Sequence, residues 1–417
     1  MREREVGVLV IGGGPAGLAA GIAAKEAGCA RVLVVDREDA PGGILKQCIH
    51  NGFGLQAFGE ELTGTEYAER YIEKAFAAGV EVACGTMAID LTGGRVATIV
   101  SRARGLETVR AGAVVLAMGC RERPRGALAT PGSRCAGVYT AGNAQKLVNM
   151  KGLMPGKRVV ILGSGDIGLI MARRMTFMGA RVLACVELMP YSAGLTRNIV
   201  QCLDDFGIPL LLSHTVVDIK GRERLEGVSV AAVDETLSPI PGTERELACD
   251  TLLLSVGLLP ENELSSTAGV RLSPATGGAE VDENLQTAVP GVFSCGNVLH
   301  VHDLVDFVSE EAARAGKAAA RYAAGETRPR GTVPVEAGSG VGGIVPQFLG
   351  EQIEGDVKLM FRTRGIYKKA RVVAERGGRE IYSKREMILV PGEMVGVTLK
   401  KDALGSGREP VRVRIEV

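Results

Sequence analysis

The chain has 417 residues, 46% of them hydrophobic, with 57 glycines, no tryptophan, and 49 basic against 48 acidic side chains. That length supports two or three domains with cores of their own, and a formal charge of +1 offers no electrostatic footprint for nucleic acid. No apolar run is long enough to cross a bilayer, and nine scattered cysteines without a C-x-x-C pair suit neither zinc nor an iron–sulfur cluster and read as reduced, cytoplasmic thiols.

The charged start and the short apolar run after it read as a first strand, residues 6–11, rather than as a signal peptide. The strand enters Gly12-Gly13-Gly14-Pro15-Ala16-Gly17, an alanine-rich helix follows, and a second strand ends at Asp36. This is a G-x-G-x-x-G in a complete βαβ setting. Gly12 permits the tight turn, Gly14 lets the backbone approach a pyrophosphate, and Gly17 lets the helix sit close on the sheet. Pro15 and Ala16 open a helix whose N-terminus faces the phosphates, and Asp36 stands where a ribose hydroxyl is bound. A glycine-punctuated loop, residues 41–54, then carries Gly43, Lys46, Cys48 and His50. Lys46 and His50 would lower the pKa of Cys48 if they face it, which makes Cys48 a candidate redox thiol. A small buried hydrophobe is the alternative. Thr63-Gly64-Thr65-Glu66 has the spacing of a capping box and starts a helix that stops at Gly79. Short strands at 80–84, 88–91, 96–101 and 107–110 lead to a buried strand, 113–118, ending in Gly119.

The same programme then repeats. A strand at 158–162 enters Gly163-Ser164-Gly165-Asp166-Ile167-Gly168, a helix follows, and a strand at 182–186 ends at Glu187. Matching glycines lie 151 residues apart, and 18 residues separate the last glycine from the acid in both copies. Repetition with equal internal spacing is stronger evidence than either motif alone. Gly207-Ile208 opens a further strand, a meander runs over 216–247, and a strand at 251–256 ends in Gly257 as the earlier one ended in Gly119. Glu187 is placed to bind the adenine ribose of the second nucleotide, and no arginine follows it at once for a 2′-phosphate, which would favour NADH over NADPH if that nucleotide carries nicotinamide. Arg197, ten residues on, keeps NADPH open. From residue 281 come a strand and turn ending in Cys295-Gly296-Asn297, a loop with His300, His302, Asp303 and Asp306, and an alanine-rich helix to about residue 324. Two imidazoles at i and i+2 lack the further ligands a metal needs, so no metal is assigned. Residues 328–343 read as a Gly/Pro-rich linker, and strands at 357–361, 370–374, 380–383, 387–390, 395–399 and 411–417 as a mildly basic β module without identifiable chemistry. His50 and His214 have no evident partner.

The two fingerprints, Val115-Leu116-Ala117-Met118-Gly119 and Phe293-Ser294-Cys295-Gly296-Asn297 together resemble the pyridine nucleotide-disulfide oxidoreductase superfamily over residues 1 to about 325. The runs Gly42 to His50 and Cys295 to Asp303 resemble more closely the flavoproteins associated with anaerobic glycerol-3-phosphate dehydrogenase. More distantly, the chain is similar to the NADH-reactive subunits of opine oxidase, hydrogen cyanide synthase and dye-linked proline dehydrogenase. The resemblance implies an α/β fold of two Rossmann-like domains, the NAD domain (123–251) inserted in the FAD domain (1–122 and 252–330), with a C-terminal β module (331–417). It implies FAD on Gly12, Gly14, Pro15, Ala16, Gly17, Asp36, Gly43, Gly119, Gly296, Asn297, His302 and Val308, and NAD on Gly163, Gly165, Asp166, Ile167, Gly168, Glu187 and Gly257. Asn297 stands where the superfamily usually has Asp on a ribityl hydroxyl, and its amide carbonyl can accept the same bond. His300 and His302 would line the pyrimidine side of the flavin, ahead of a helix N-terminus near Asp306 to Val308 that favours negative charge on the reduced ring.

No segment is left for a separate substrate domain, so the leading expectation is the NAD-facing FAD subunit of a multi-subunit dehydrogenase. It would exchange electrons with a second flavoprotein that oxidises glycerol 3-phosphate or a similar substrate, the β tail serving as a docking surface. The alternatives are a free-standing NADH oxidase or peroxide, persulfide or CoA-disulfide reductase using Cys48, and an assembly subunit with structural nucleotides. The lack of a second cysteine near Cys48 argues against dithiol transfer, and homo-oligomerisation stays open.

Overall fold

The computed structural model describes residues 2–326 and 329–417 and divides into two compact units, Met1–Cys120 with Pro260–Val417 and Arg121–Leu259. In the first unit, β1 (Arg2–Ile11), α1 (Pro15–Glu26) and β2 (Val32–Val35) form the expected βαβ turn, followed by α2 (Gly64–Ala77), β3 (Glu81–Ala83), β4 (Thr86–Leu91), β5 (Val96–Ser101) and β6 (Gly105–Leu116). The sheet runs β3-β2-β1-β6-β5-β4. Two strands expected at 107–110 and 113–118 are one, because β6 pairs with β1 from Glu107 to Leu116. Gly112 does not break it: a Cβ there would lie 2.8 Å from Gly7 O and 3.0 Å from Ala323 Cβ, so the glycine admits the neighbouring strand and helix. The capping box of α2 is present, with the Thr63 side chain accepting from Glu66 N–H and the Glu66 carboxylate accepting from Thr63 N–H.

The second unit repeats the arrangement with β7 (Val138–Thr140), α3 (Ala141–Lys151), β8 (Arg158–Leu162), α4 (Asp166–Phe177), β9 (Arg181–Val186), β10 (Leu210–Leu211), β11 (His214–Gly221), β12 (Leu225–Ala232), β13 (Arg245–Leu247) and β14 (Thr251–Leu254). Its parallel sheet runs β7-β14-β8-β9-β10, and β11-β12-β13 is an antiparallel meander. The central strand β14 lies between β7 and β8. A boundary at residue 252 therefore falls inside a strand of this sheet, and the division lies instead between Leu259 and Pro260.

The chain re-enters the first sheet through β15 (Val292–Ser294), which pairs in parallel with the end of β6. The helix α5 (Val305–Ala323) then crosses α1 so closely that a Cβ on Gly316 would lie 2.0 Å from Ala20 O. Strand takes half of the expected linker: β16 (Val333–Ala337) lies within it and β17 (Val341–Val345) starts within it, while Arg328, its expected start, lies outside the described residues. With β18 (Phe348–Leu349), β19 (Val357–Thr363), β20 (Tyr367–Arg376), β21 (Arg379–Leu389), β22 (Met394–Leu399) and β23 (Val411–Glu416) they form sheets ordered β18-β16-β23-β20-β21 and β17-β19-β22. These enclose an apolar core that includes Leu359, Phe361, Val372 and Val413. The module belongs to the first compact unit, fastened by Val281 N–H to Gln347 Oε1 (2.9 Å), Gly331 N–H to Asp282 (3.1 Å) and Gly350 N–H to Glu283 (2.9 Å). Among the described residues no helix is long and apolar enough to cross a membrane.

Candidate functional site

At the end of β1 the chain turns through Gly12 with φ +109°, and a Cβ there would sit 2.3 Å from Ala117 O. Only glycine fits such a turn. Gly13 N–H donates to Asp36 Oδ2 at 2.6 Å and Glu38 N–H to Asp36 Oδ1 at 2.8 Å, so the acid at the end of β2 is buried and fixed against the glycine turn. Unlike α2, α1 starts at Gly14 with Pro15 in its first turn and no side-chain cap. Its first amides keep the polarity that suits a pyrophosphate. The second unit repeats these backbone hydrogen bonds and adds one from a side chain. Ser164 N–H and Oγ donate to Glu187 Oε2 at 2.8 and 2.6 Å, Met189 N–H donates to Oε1 at 2.9 Å, and α4 again lacks a side-chain cap. Equal spacing in the sequence thus becomes equal hydrogen bonding in space.

Asp166, in the first turn of α4, would repel a phosphate if it faced one. Its Oδ1 instead accepts Leu195 N–H at 2.8 Å and Asn198 Nδ2–H at 2.6 Å, so the carboxylate holds the segment after β9 against the turn. Ile167 and Gly168 follow in the same helix, where a Gly168 Cβ would meet Ser255 Cβ at 2.7 Å. Gly119 (φ +72°) and Gly257 (φ +102°) occupy matching positions after β6 and β14, each with open space where a Cβ would stand.

The loop after Asp36 lies directly on the first fingerprint. Gly42 N–H donates to Gly13 O at 2.8 Å, and a Cβ on Gly43 would lie 2.9 Å from Gly14 Cα. Cys48 does not meet the environment expected of an activated thiol. Lys46 Nζ donates to Ala40 O at 2.6 Å, the His50 ring lies against Phe53, and the buried Cys48 packs at the foot of α2, where a Cβ on Gly64 would come within 2.5 Å of its own Cβ. Burial pushes the thiol up to about 12. None of the nine cysteines is in a disulfide.

The strand β15 returns to this site. Gly296 abuts the first turn of α1, its missing Cβ leaving room for Ala16 (2.8 Å) and Val308 (3.4 Å). Asn297 Oδ1 accepts His302 N–H at 3.1 Å, which leaves the second lone pair of that carbonyl for another donor, and its Nδ2 reaches Cys120 Sγ at 3.6 Å. Asp303 and Asp306, which follow His300 and His302 in the chain, are held by other partners. Asp303 pairs with Arg362 of β19 and accepts Met394 N–H at 2.6 Å, while Asp306 accepts Gly54 and Ala57 N–H at 3.2 and 2.8 Å. The histidines meet Glu311 instead, the three side chains bringing one polar atom each within 4.8 Å of one another. Glu311 accepts Gly296 N–H at 2.7 Å and His300 Nε2–H at 2.7 Å, and His302 Nε2 stands 3.4 Å from it. Sequence reasoning missed Glu311, although one signal was available: it is an acid on the helix face that also carries Val308, Ala312 and Ala315, all buried. His214, without an evident partner in the sequence, bonds Leu212 O through Nδ1 at 2.7 Å.

These features fit FAD in the first unit: an uncapped helix start behind a fixed acid, glycine gaps where side chains would intrude, and a buried His302 whose two ring nitrogens lack hydrogen-bond partners.

The family model for pyridine nucleotide-disulphide oxidoreductases matches residues 6–320. One of the opine oxidase subunits of Agrobacterium tumefaciens is 30% identical over 283 residues, 64% of this chain and 55% of that protein. The HcnB subunit of hydrogen cyanide synthase from Pseudomonas aeruginosa is 26% identical over 314 residues, 70% of this chain and 66% of that protein. The aligned region spans about half to two thirds of the length of these relatives. Among solved structures, thioredoxin reductase of T. acidophilum superposes with a TM-score of 0.64 at 22% identity, covering 78% of this chain and all of that one, a likeness of fold.

Proposed function

Because the chain belongs to the pyridine nucleotide-disulphide oxidoreductase family and is an FAD-dependent oxidoreductase, we propose that it moves hydride between NAD(H) held in residues 121–259 and FAD held in the first unit. The observation that carries this is the paired acid, Asp36 on Gly13 N–H and Glu187 on Ser164 N–H, each beside an uncapped helix start. When bound, FAD supplies the two-electron chemistry. The chain supplies position. Asp36 and Glu187 take ribose hydroxyls, α1 and α4 take the pyrophosphates, and the buried charge of Glu187 disfavours a 2′-phosphate and so favours NADH.

The second redox partner is a separate protein, a flavoprotein that oxidises glycerol 3-phosphate or a similar substrate. Two relatives, each one component of a larger oxidase or synthase, support such a role. Nine thiols without a disulfide support a cytoplasmic setting. Anaerobic titration of purified protein with NADH tests the reading. Loss of the flavin absorbance without a small-molecule acceptor, together with co-purification of a second flavoprotein, is the expected result. A flavin that NADH does not reduce would point to structural nucleotides. Turnover with a disulfide or peroxide that disappears in Cys48→Ser would point to a free-standing reductase.

A further inference from the structure

The helix α5 buries a carboxylate that its packing does not require. Glu311 is 2% exposed, on a face otherwise made of Val308, Ala312, Ala315 and Ala319. Burial opposes its charge, yet the imidazole of His300, hydrogen-bonded at 2.7 Å, and that of His302 beside it hold its carboxyl well below the usual range. Burial pushes His300 the other way, towards the neutral ring that donates from Nε2. The negative charge of the array therefore sits on Glu311. Arg362 donates to Val301 O in the same loop, but its guanidinium is paired with Asp303, and Asp306 is turned to the amides of Gly54 and Ala57.

His302 is the group these contacts leave over. Its side chain is 1% exposed, its Nε2 faces Glu311 Oε2 at 3.4 Å without the alignment of a hydrogen bond, and neither ring nitrogen has a hydrogen-bond partner among the described residues. An imidazole buried with both nitrogens idle costs stability unless a ligand or a proton uses them. Its backbone N–H is tied to Asn297, next to the Gly296 that abuts α1. We propose that His302 is the redox-linked proton acceptor of the flavin site: neutral in the oxidised protein, it binds one proton at Nε2 when the site is reduced, with Glu311 as counter-ion. This rests on FAD occupying the first unit. The hydride from the nicotinamide carries one negative charge into the site. The proton comes from solvent, the new N–H bond on His302 is the one bond this chain forms, and the imidazolium then donates to Glu311 Oε2. Glu311 Oε2, 3.4 Å from His302 Nε2, supplies the counter-charge for that proton in a water-poor site.

The test is the midpoint potential of the bound flavin against pH, measured spectroelectrochemically on the holoprotein and on His302→Gln. One extra proton per two electrons makes the wild-type slope steeper than that of the variant by about 30 mV per pH unit, over the range in which His302 is neutral when oxidised and charged when reduced. Glu311→Gln removes the counter-ion and moves that range to lower pH. Equal slopes for wild type and His302→Gln throughout would overturn the proposal. If the variant does not fold, the wild type alone decides. The chain has only four histidines, so 15N-histidine NMR of oxidised and reduced holoprotein resolves them, and a reduced form with no new imidazolium refutes the idea. A purified protein that binds no flavin at all would instead refute the placement of FAD.

Discussion

Asp303→Ala tests whether the C-terminal module fastens the histidine loop. The native carboxylate accepts Met394 N–H at 2.6 Å and pairs with Arg362, whose guanidinium also reaches the carbonyls of Gly392 at 2.7 Å and Pro391 at 3.2 Å. Arg362 is about one-third exposed, so its ion pair contributes about 0–1 kcal/mol, whereas the hydrogen bond to a largely buried charged acceptor contributes about 1.5–3 kcal/mol. Together these put the cost of the alanine at about 2–4 kcal/mol of local stability, since it also leaves Met394 N–H without its acceptor. Met394 starts β22 opposite Arg362 of β19. Hydrogen exchange at its amide, measured by mass spectrometry on overlapping peptides, should therefore accelerate by about 30-fold or more. Asp303→Asn keeps a carbonyl acceptor and loses only the ion pair, so its exchange should rise less than tenfold. If Asp303→Ala exchanges at the wild-type rate, the contact contributes nothing and the module is not held through it.

Gly12→Ala should abolish flavin retention, because its Cβ would lie 2.3 Å from a backbone carbonyl, while Gly163→Ala, 2.1 Å from Ser255 O, should keep the flavin but lose its reduction by NADH. Flavin content and NADH bleaching of the two proteins read this out, and the reverse pattern would exchange the two nucleotides. Cys48→Ser should leave NADH reduction of the flavin within twofold, and iodoacetamide should alkylate Cys48 only slowly at pH 8, since a thiol near 12 is ionised there in about one molecule in ten thousand. Rapid, selective alkylation at that pH would contradict its burial. Glu187→Gln should raise KM for NADH by about tenfold and narrow the preference over NADPH, measured by steady-state reduction of a dye acceptor. Burial, with Asp282 beside it, pushes Glu283 up from 4.5 to about 7. The folded state then binds the extra proton between those values, so this group's contribution to stability falls as pH rises from about 4.5 to 7. Thermal melts of Glu283→Gln should lose that part of the pH dependence, and an unchanged profile would refute the assignment.

The parts of the site legible in the sequence are those whose physics is local. A glycine turn, an uncapped helix start and an acid at a strand end lie within one βαβ unit, and their spacing survives folding unchanged, so both fingerprints and the capping box of α2 are where the residues alone put them. Three matters depended on partners distant in sequence. Residues 107–110 and 113–118 read as two strands until β1 pairs with both, and the boundary expected at residue 252 stands only until β7 and β8 flank the strand it would cut. Asp303 and Asp306 follow the histidines in the chain, and only the structure shows that Met394, Arg362, Gly54 and Ala57 claim them. The same holds for Cys48 and Glu311. Residue type and neighbours left Cys48 open between a redox thiol and a small buried hydrophobe and gave no reading of Glu311, because side-chain chemistry is set by burial and by the charges that tertiary packing brings within a few ångströms. Spacing along the chain determined which nucleotide-binding elements this protein has, and the tertiary structure decided which of its titratable groups are charged beside them.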